Sequence, residues 1–365
     1  MRGTGEALVV DATITSELIP QVVILREAVS LDESEPTFVS GASVWIEDSS
    51  GSRYDFQENE AGRYVSDQAF AVESGRLYTL HIITDDKEYV STAEQVPTPT
   101  QIDEIFGQYV NTPSSETDGI EEGIQFFVNA SPTDPSSDVF NLRLEYEEDY
   151  IITVPYASPY VYSVETGIQP REFSIQTCYS NTTSTDLVIG STSGQTQNII
   201  QDLPVHFVSP EDPDLRLRYA LLVKQYSITP AAYRYYQDLK ENNESGGGFA
   251  DRQKGSIIGN IVNTNDAEEI VLGYFEVAHY TEQRAFFEPT IWSEEGFLPD
   301  AFFRSCEYSI AADTVLTDDL QNDLVNLGTR NIHAMSTSGE FTILVPEACS
   351  DCRLYGNLEQ PAFWE

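Results

Sequence analysis

Four cysteines are the residues best suited to chemistry in this sequence: Cys178, Cys306, Cys349 and Cys352. The last two form a CxxC pair, which can be a redox site, half of a zinc site or a local disulfide. A thioredoxin-type redox pair lies at the N-terminus of a helix that follows a strand, whereas this pair follows Pro346 and precedes a glycine-containing tail. The even count and the position of the pair favour structural disulfides, with three pairings possible, and such bonds would indicate an oxidising compartment.

No established catalytic motif accompanies the cysteines. The GxSxG, HExxH and phosphate-loop patterns do not occur, and Gly246–Gly248 follow a predicted helix, where they offer no helix N-terminus to a phosphate. The four histidines form no recognisable constellation, and among 60 Asp and Glu residues a carboxylate pair arises without any function. The acidic segment 209–214 lacks the spacing and the glycine of an EF-hand loop, so we expect a solvated turn. The sequence predicts no catalytic residue, no cofactor and no metal site, and a protein that is not an enzyme.

The charge balance is strongly acidic, with 60 acidic against 19 basic residues and a net charge of −41. Such a chain repels nucleic acid and an anionic membrane surface. Its field would attract cations or a basic partner; the alternative, which we favour, is a solvated surface suited to high salt. The sequence has no apolar run of the roughly 18 residues that a membrane span needs, and it shows no signal peptide. A chain whose export signal had been trimmed would begin in the same way.

Short strands dominate the pattern and predict a mainly β fold. Residues 1–97 have strands broken by turns every 8 to 12 residues, which is typical of an immunoglobulin-like β-sandwich. The segment Pro97–Thr100 is the clearest linker, because proline cannot donate into a strand ladder. Residues 98–365 are predicted to form a larger β-rich domain with one helical insertion near 230–241 and a disulfide-bearing C-terminal tail.

The predicted helix has the clearest start signal in the chain. Thr229 suits the N-cap and Pro230 the first helical position. Its tyrosines form either an aromatic platform for a ligand or, as we favour, a face that packs on a sheet. Loops 155–170 and 242–254 are expected to meet a partner or a ligand. The candidate contact residues, chosen as aromatic stacking surfaces, are Tyr160, Tyr162, Tyr233, Tyr235 and Trp292.

Several motifs recur in order and carry a family resemblance. They are VxGAxVxIxDxxG (39–51), QYSITPAAYRYYQDLKE (225–241), GGGF (246–249), GNIVNTND (259–266), VLGYF (271–275) and CxDCR…FW (349–364). The chain resembles a Bacteroidetes family of outer-membrane lipoproteins of unknown function that are encoded beside TonB-dependent receptors. The resemblance implies a lipidated cysteine upstream of Met1, a cell-surface location on the outer membrane, and a TonB-dependent receptor or another outer-membrane complex as partner.

The function expected from these observations is that of a non-catalytic lipoprotein, an accessory subunit of a TonB-dependent transporter or a related outer-membrane assembly. The alternative is a stand-alone module that binds glycans or peptides, and a hydrolase is the third hypothesis. A groove lined by two or more exposed aromatic side chains would favour the ligand-binding module. A flat apolar patch would favour the accessory subunit.

Overall fold

The computed structural model describes residues 7–28, 37–85, 87–113, 120–244, 257–297, 303, 306–312, 329–335 and 341–364. The fold is mainly β, which confirms the predicted class. Within those residues, no helix is both long enough and apolar enough to cross a bilayer.

The first 95 residues form eight strands: β1 Leu8–Thr15, β2 Val22–Glu27, β3 Ser43–Asp48, β4 Arg53–Glu60, β5 Arg63–Ser66, β6 Leu77–Thr84, β7 Lys87–Ser91 and β8 Glu94–Gln95. Most alternate between buried and exposed positions, as in β3, where Val44 and Ile46 are buried. Side chains from β1 to β7 belong to one apolar core, so this part of the sheet wraps around a single interior.

The rest of the chain adds fourteen strands and one α-helix to the described structure. The strands before the helix are β9 Thr100–Pro113, β10 Ile120–Pro132, β11 Asn141–Thr153, β12 Tyr160–Ser163, β13 Gly167–Pro170, β14 Thr177–Thr183, β15 Val188–Ser191, β16 Ile200–Val208 and β17 Tyr219–Ile228. The helix α1 is Pro230–Glu244, and the later strands are β18 Ile261–Asn263, β19 Leu272–Phe287, β20 Ser309–Ala312, β21 Arg330–Met335 and β22 Phe341–Pro346. Short 3-10 helices are Asp214–Arg216, Pro289–Glu295, Glu347–Cys349 and Cys352–Leu354.

Strand β19 joins the two halves of the chain. It pairs in parallel with β1 along Val9–Thr15 and in antiparallel fashion with β17. A continuous sheet therefore runs in the order β14-β11-β17-β19-β1-β2-β5-β4-β3-β6-β7-β18. The N-terminal core is completed by four later residues, Ile261, Val271, Phe275 and Val277. The division of the chain at residue 97 stays a prediction.

Two glycines allow the backbones to approach closely where β1 meets β19. Gly273 has φ +101°, and a Cβ atom there would lie 1.8 Å from the carbonyl oxygen of Val10. A Cβ atom on Gly259 would lie 1.6 Å from the carbonyl oxygen of Gly273. Gly259 of the GNIVNTND motif and Gly273 of the VLGYF motif are therefore required for the same steric reason: a side chain at either position would overlap the neighbouring backbone.

A second core lies between two layers of strands. One layer is the three-stranded sheet β16-β10-β9, and the other consists of β11, β17 and β19. Every second residue on β11, β17 and β19 points away from this core. We call this surface the outer face; its polar and aromatic residues are Arg143, Glu145, Glu147, Asp149, Lys224, Tyr226, Glu276, Tyr280, Glu282 and Arg284.

Helix α1 packs on one end of the outer face. As predicted, Thr229 is its N-cap: Thr229 Oγ1 accepts a hydrogen bond from the backbone N–H of Ala232 at 3.2 Å, and Pro230 begins the helix. Ala232 is buried against Ile228 and Ala278. Of the predicted loop 242–254, residues 245–254 lie outside the described residues.

The C-terminal tail packs on the other end of the outer face. The guanidinium of Arg284 lies 3.8 Å from the ring centre of Phe363, and the rings of Phe286 and Trp364 are 5.6 Å apart. Helix and tail leave the middle of the outer face between them.

All four cysteines form disulfides, Cys178–Cys352 and Cys306–Cys349. The two members of the CxxC pair therefore bond to different partners. Cys178 and Cys352 are fully buried with Ile152 in a small apolar cluster. Both cysteines of the pair are oxidised and bonded to distant partners, an arrangement of structural disulfides that differs from a CxxC redox bond and from a zinc site. The bonds fasten the tail to β14 and to the segment that precedes β20.

Candidate functional site

The middle of the outer face contains an open cleft of about 300 Å³. Its walls come from β1, β17 and β19 and from the connection between β1 and β2. The lining residues with polar or aromatic groups include Thr13, Thr15, Glu17, Lys224, Tyr226 and Tyr280. The volume is at the lower end of the roughly 300–1,000 Å³ typical of small-ligand sites.

Two tyrosine rings form the aromatic part of the cleft. Tyr226 on β17 and Tyr280 on β19 are direct cross-strand partners, and their ring centres lie 5.2 Å apart at 58°. The Tyr226 hydroxyl donates to Glu145 Oε2 at 3.2 Å, and the Tyr280 hydroxyl donates to Glu282 Oε2 at 2.5 Å. Burial and these carboxylates raise the pKa of both phenols well above the ordinary value, so both remain protonated donors at neutral pH. Their rings are held in place, and both residues are partly exposed.

Lys224 is the basic residue among those lining the cleft. Its ammonium forms an ion pair with Glu147 of β11. Its direct cross-strand neighbours are also acidic: Glu145 on one side and Glu282 on the other. Burial, together with the charge of Glu282, raises the pKa of Glu17, and Lys224 opposes this shift. The cleft therefore has a local excess of negative charge.

A buried ion pair beneath helix α1 contacts Tyr226, one of the residues that line the cleft. Arg143 of β11 donates to both carboxylate oxygens of Glu276, at 2.8 Å from Nη2 and 3.3 Å from Nε. The guanidinium lies 4.2 Å from the ring centre of Tyr226 and 5.4 Å from that of Tyr236 on the helix. This arrangement places the guanidinium against the Tyr226 ring and links the helix to the sheet.

A second buried network explains three of the motifs. The carboxylate of Glu94 on β8 accepts hydrogen bonds from Tyr274 at 2.8 Å, from Thr229 at 3.1 Å and from Asn260 at 3.1 Å. Asn260 also exchanges two hydrogen bonds with the backbone of Phe275. The motifs around Thr229, Asn260 and Tyr274 thus converge on one acid of the N-terminal strands. Sequence reasoning missed Glu94, because its neighbours in the chain form no motif.

A third cluster surrounds His206 of β16, next to the second core. Its Nε2 lies 2.8 Å from Glu148, which also accepts from the Tyr219 hydroxyl at 2.8 Å. Its Nδ1 lies 2.8 Å from the Tyr146 hydroxyl. Burial and the neighbouring charge of Glu148 raise the pKa of Asp214 to about 7. The acidic turn 209–214 folds on itself, with the Ser209 N–H donating to Asp212 at 2.9 Å.

The structure does not bring the five candidate contact residues together. Trp292 is 3% exposed: its ring packs on Phe287 and Phe126, and its Nε1 donates to the Gly107 carbonyl at 3.1 Å. The expectation of a stacking surface at Trp292 is therefore wrong, because a core position leaves neither ring face open to a ligand. Type and spacing alone do not distinguish a core tryptophan from an exposed one.

The four candidate tyrosines lie in two other places. Tyr233 and Tyr235 are partly buried where α1 packs on the sheet, and Tyr235 contacts Tyr274 with ring centres 5.1 Å apart. Tyr160 and Tyr162 are half-buried on β12, in the five-stranded sheet β13-β12-β21-β22-β20. None of the four lines the cleft on the outer face.

The comparisons with known proteins identify a family whose function is unknown. The protein-family model described as a domain of unknown function, DUF4249, matches residues 2–284. The chain belongs to this family. A crystal structure of a DUF4785 family protein from Legionella pneumophila is 8% identical; the match covers 60% of this chain and 52% of that one, with a TM-score of 0.20. The chain thus spans about half the length of that protein. The search of curated proteins found no match.

Proposed function

We propose that this protein is a non-catalytic binding protein, anchored by a lipid at the outer-membrane surface, and that it acts as an accessory subunit of a TonB-dependent transporter or a related assembly. The observation that carries this proposal is the open cleft on the outer face. Two fixed aromatic rings and several polar groups converge there on an accessible surface, an arrangement that suits the recognition of a ligand or of a partner's segment.

The disulfides support a location outside the cytoplasm. Two disulfides that join distant segments form and persist in an oxidising compartment, whereas cytosolic thiols are kept reduced. The membership of a family of unknown function agrees with the resemblance noted in the sequence. The outer-membrane location and the transporter partner rest on that resemblance.

A stand-alone glycan- or peptide-binding module is the second candidate. It is favoured by the pair Tyr226 and Tyr280, because two partly exposed aromatic rings that line one cleft can stack against a ligand. In this case the protein would bind its ligand without a stable partner.

Affinity purification separates the two candidates. The lipidated full-length protein would be isolated from its native outer membrane in mild detergent, and co-purifying proteins would be identified by mass spectrometry. We expect a TonB-dependent receptor in stoichiometric amount. Recovery of the protein alone would overturn the accessory role and leave the stand-alone module.

The same purification with Tyr280→Leu tests whether the cleft takes part. Tyr109→Leu is the matched control, since it removes a half-buried tyrosine from a strand in another sheet. We expect the receptor to be lost with Tyr280→Leu and retained with Tyr109→Leu. Equal recovery with both variants would place the partner's contact outside the cleft.

A further inference from the structure

We propose that the cleft binds a basic peptide segment, with a lysine ammonium or an arginine guanidinium held against the rings of Tyr226 and Tyr280 and beside Glu17. The proposal rests on the proposed function, since it names the chemistry of the segment that the cleft recognises.

The tyrosine rings suit a cation because of how their hydroxyls are held. Each hydroxyl donates to a carboxylate, Glu145 for Tyr226 and Glu282 for Tyr280. These hydrogen bonds hold both rings, each with electron-rich faces, in the lining of the cleft. A cation within about 6 Å of such a face is attracted by the ring quadrupole. Arg143 already contacts Tyr226 in this way at 4.2 Å.

The charges around the cleft point to the same class of ligand. Glu17 lines the cleft, and among the described residues no basic group lies within ion-pair distance of it. Lys224, the basic residue of the lining, forms its ion pair with Glu147 instead. Glu282 adds a further carboxylate next to Tyr280. A basic side chain in the cleft would add positive charge beside Glu17 and Glu282, where Lys224 is already paired with Glu147.

Other ligand classes fit less well. A phosphate or a carboxylate ligand would meet this excess of acidic groups and the field of a chain with net charge −41. A neutral sugar would use the tyrosine faces but would leave the charge of Glu17 without a partner. Binding of a neutral glycan is therefore an outcome that the experiment must be able to detect.

The test is calorimetric titration of the full chain with the peptide acetyl-Ala-Arg-Ala-Lys-Ala-amide in 0.15 M salt. Because an acidic protein attracts any basic peptide, each variant needs a charge-matched control. Glu17→Gln and Glu268→Gln each remove one negative charge, but Glu268 is exposed on the turn before β19. Tyr280→Leu removes the ring, whereas Tyr280→Phe keeps it and loses only the hydroxyl.

We expect Glu17→Gln and Tyr280→Leu to weaken peptide binding about tenfold, the order of one desolvated charge or cation–ring contact. Glu268→Gln and Tyr280→Phe are expected to stay within about threefold of the original chain. Thermal unfolding of each variant verifies that it is folded, and the comparison of Glu17→Gln with Glu268→Gln keeps the test valid if the leucine variant is not folded.

Two results would overturn the inference. Equal weakening by Glu17→Gln and Glu268→Gln would show a general field and no specific site. Binding of maltotriose that depends on Tyr280 but not on Glu17, with no peptide binding, would assign the cleft to neutral glycans. The proposed binding function would survive that second result. Conversely, specific peptide binding without any co-purifying receptor would support the inference and contradict the accessory role.

Discussion

Arg143 Nη2 lies 2.8 Å from Glu276 Oε1, although the two residues belong to strands separated by β17. Both side chains are buried, at 7% and 1% exposure. The pair reaches diagonally over the end of β17, beneath helix α1. It holds three elements together: β11, β19 and the helix, whose Tyr236 also bonds to Glu276. The strength of this pair is the first property to test.

Replacing Arg143 with leucine should lower the free energy of unfolding by about 3–5 kcal/mol, because Glu276 would remain buried without a counter-charge. The double variant Arg143→Leu, Glu276→Leu should regain much of that loss, since the carboxylate it leaves without Arg143, Glu145, is partly exposed to solvent. Arg53→Leu is the control: its ion pair with Asp55 is half exposed and should cost less than about 1 kcal/mol. Urea unfolding measures all three. Equal losses for Arg143 and Arg53 would contradict the argument.

The disulfides should contribute strongly to stability. Removing Cys178–Cys352 as a pair of serines should cost about 4–5 kcal/mol, and removing Cys306–Cys349 about 4 kcal/mol, because each closes a long loop in the unfolded chain. Unfolding under non-reducing conditions gives the two values. Peptide mapping without reduction provides the independent check, and a peptide joined through Cys349 and Cys352 would refute the pairing.

Asp214 should make stability depend on pH. Its pKa of about 7 is raised from 3.8, so the folded state holds the proton more tightly than the unfolded state. The stabilisation is fully present below about pH 4 and is lost as the pH rises through 7. Asp214→Asn removes this dependence, and its stability relative to the original chain should rise by up to about 4 kcal/mol between pH 4 and pH 8.

Urea unfolding at several pH values checks this prediction. Asp238→Asn makes the same chemical change on an exposed residue of α1 and should show almost no pH-dependent difference. A difference for Asp214→Asn that stays constant from pH 4 to pH 8 would show that burial and the charge of Glu148 do not raise the pKa of this carboxyl.

Gly273→Ala should disrupt the junction of the two halves. The new Cβ would overlap the Val10 carbonyl, and the backbone at φ +101° is already unfavourable for alanine. We expect a loss of about 3 kcal/mol or more in unfolding free energy. Gly51→Ala is the matched control, since Gly51 has φ +88° but no atom within 4 Å of the added Cβ. It should cost only about 1–2 kcal/mol, so comparable losses would exclude a steric cause.

The local features of the fold follow from sequence, and the long-range ones do not. The start of α1 was predictable because Thr229 and Pro230 satisfy requirements of a helix end that lie within a few residues. The β class was predictable because short runs of alternating apolar and polar residues, broken by turns, are typical of strands. The pairing of β1 with β19 was not, because no local pattern specifies a partner so distant in the chain.

The cleft shows the same limit. Tyr226 and Tyr280 meet because β17 and β19 pair in one register, and Glu17 joins them because β1 lies on the other side of β19. In the sequence these three residues are far apart, and nothing in the pattern around them predicts that they meet. Trp292 illustrates the converse, since a residue type typical of binding sites is here part of the core. The four cysteines were recognisable as a set, but their pairing depends on the tertiary fold.

The pairing of β1 with β19 also sets the order in which this protein can fold. Val10 pairs with Gly273. One edge of the first strand therefore has no partner until most of the chain has been made. The N-terminal core likewise waits for Phe275 and Val277. Contacts of such large sequence separation form slowly and leave strand edges exposed in the meantime. A chain that leaves a translocation channel N-terminus first would therefore complete its first strands late, and would depend on protection of the open β1 edge until β19 emerges.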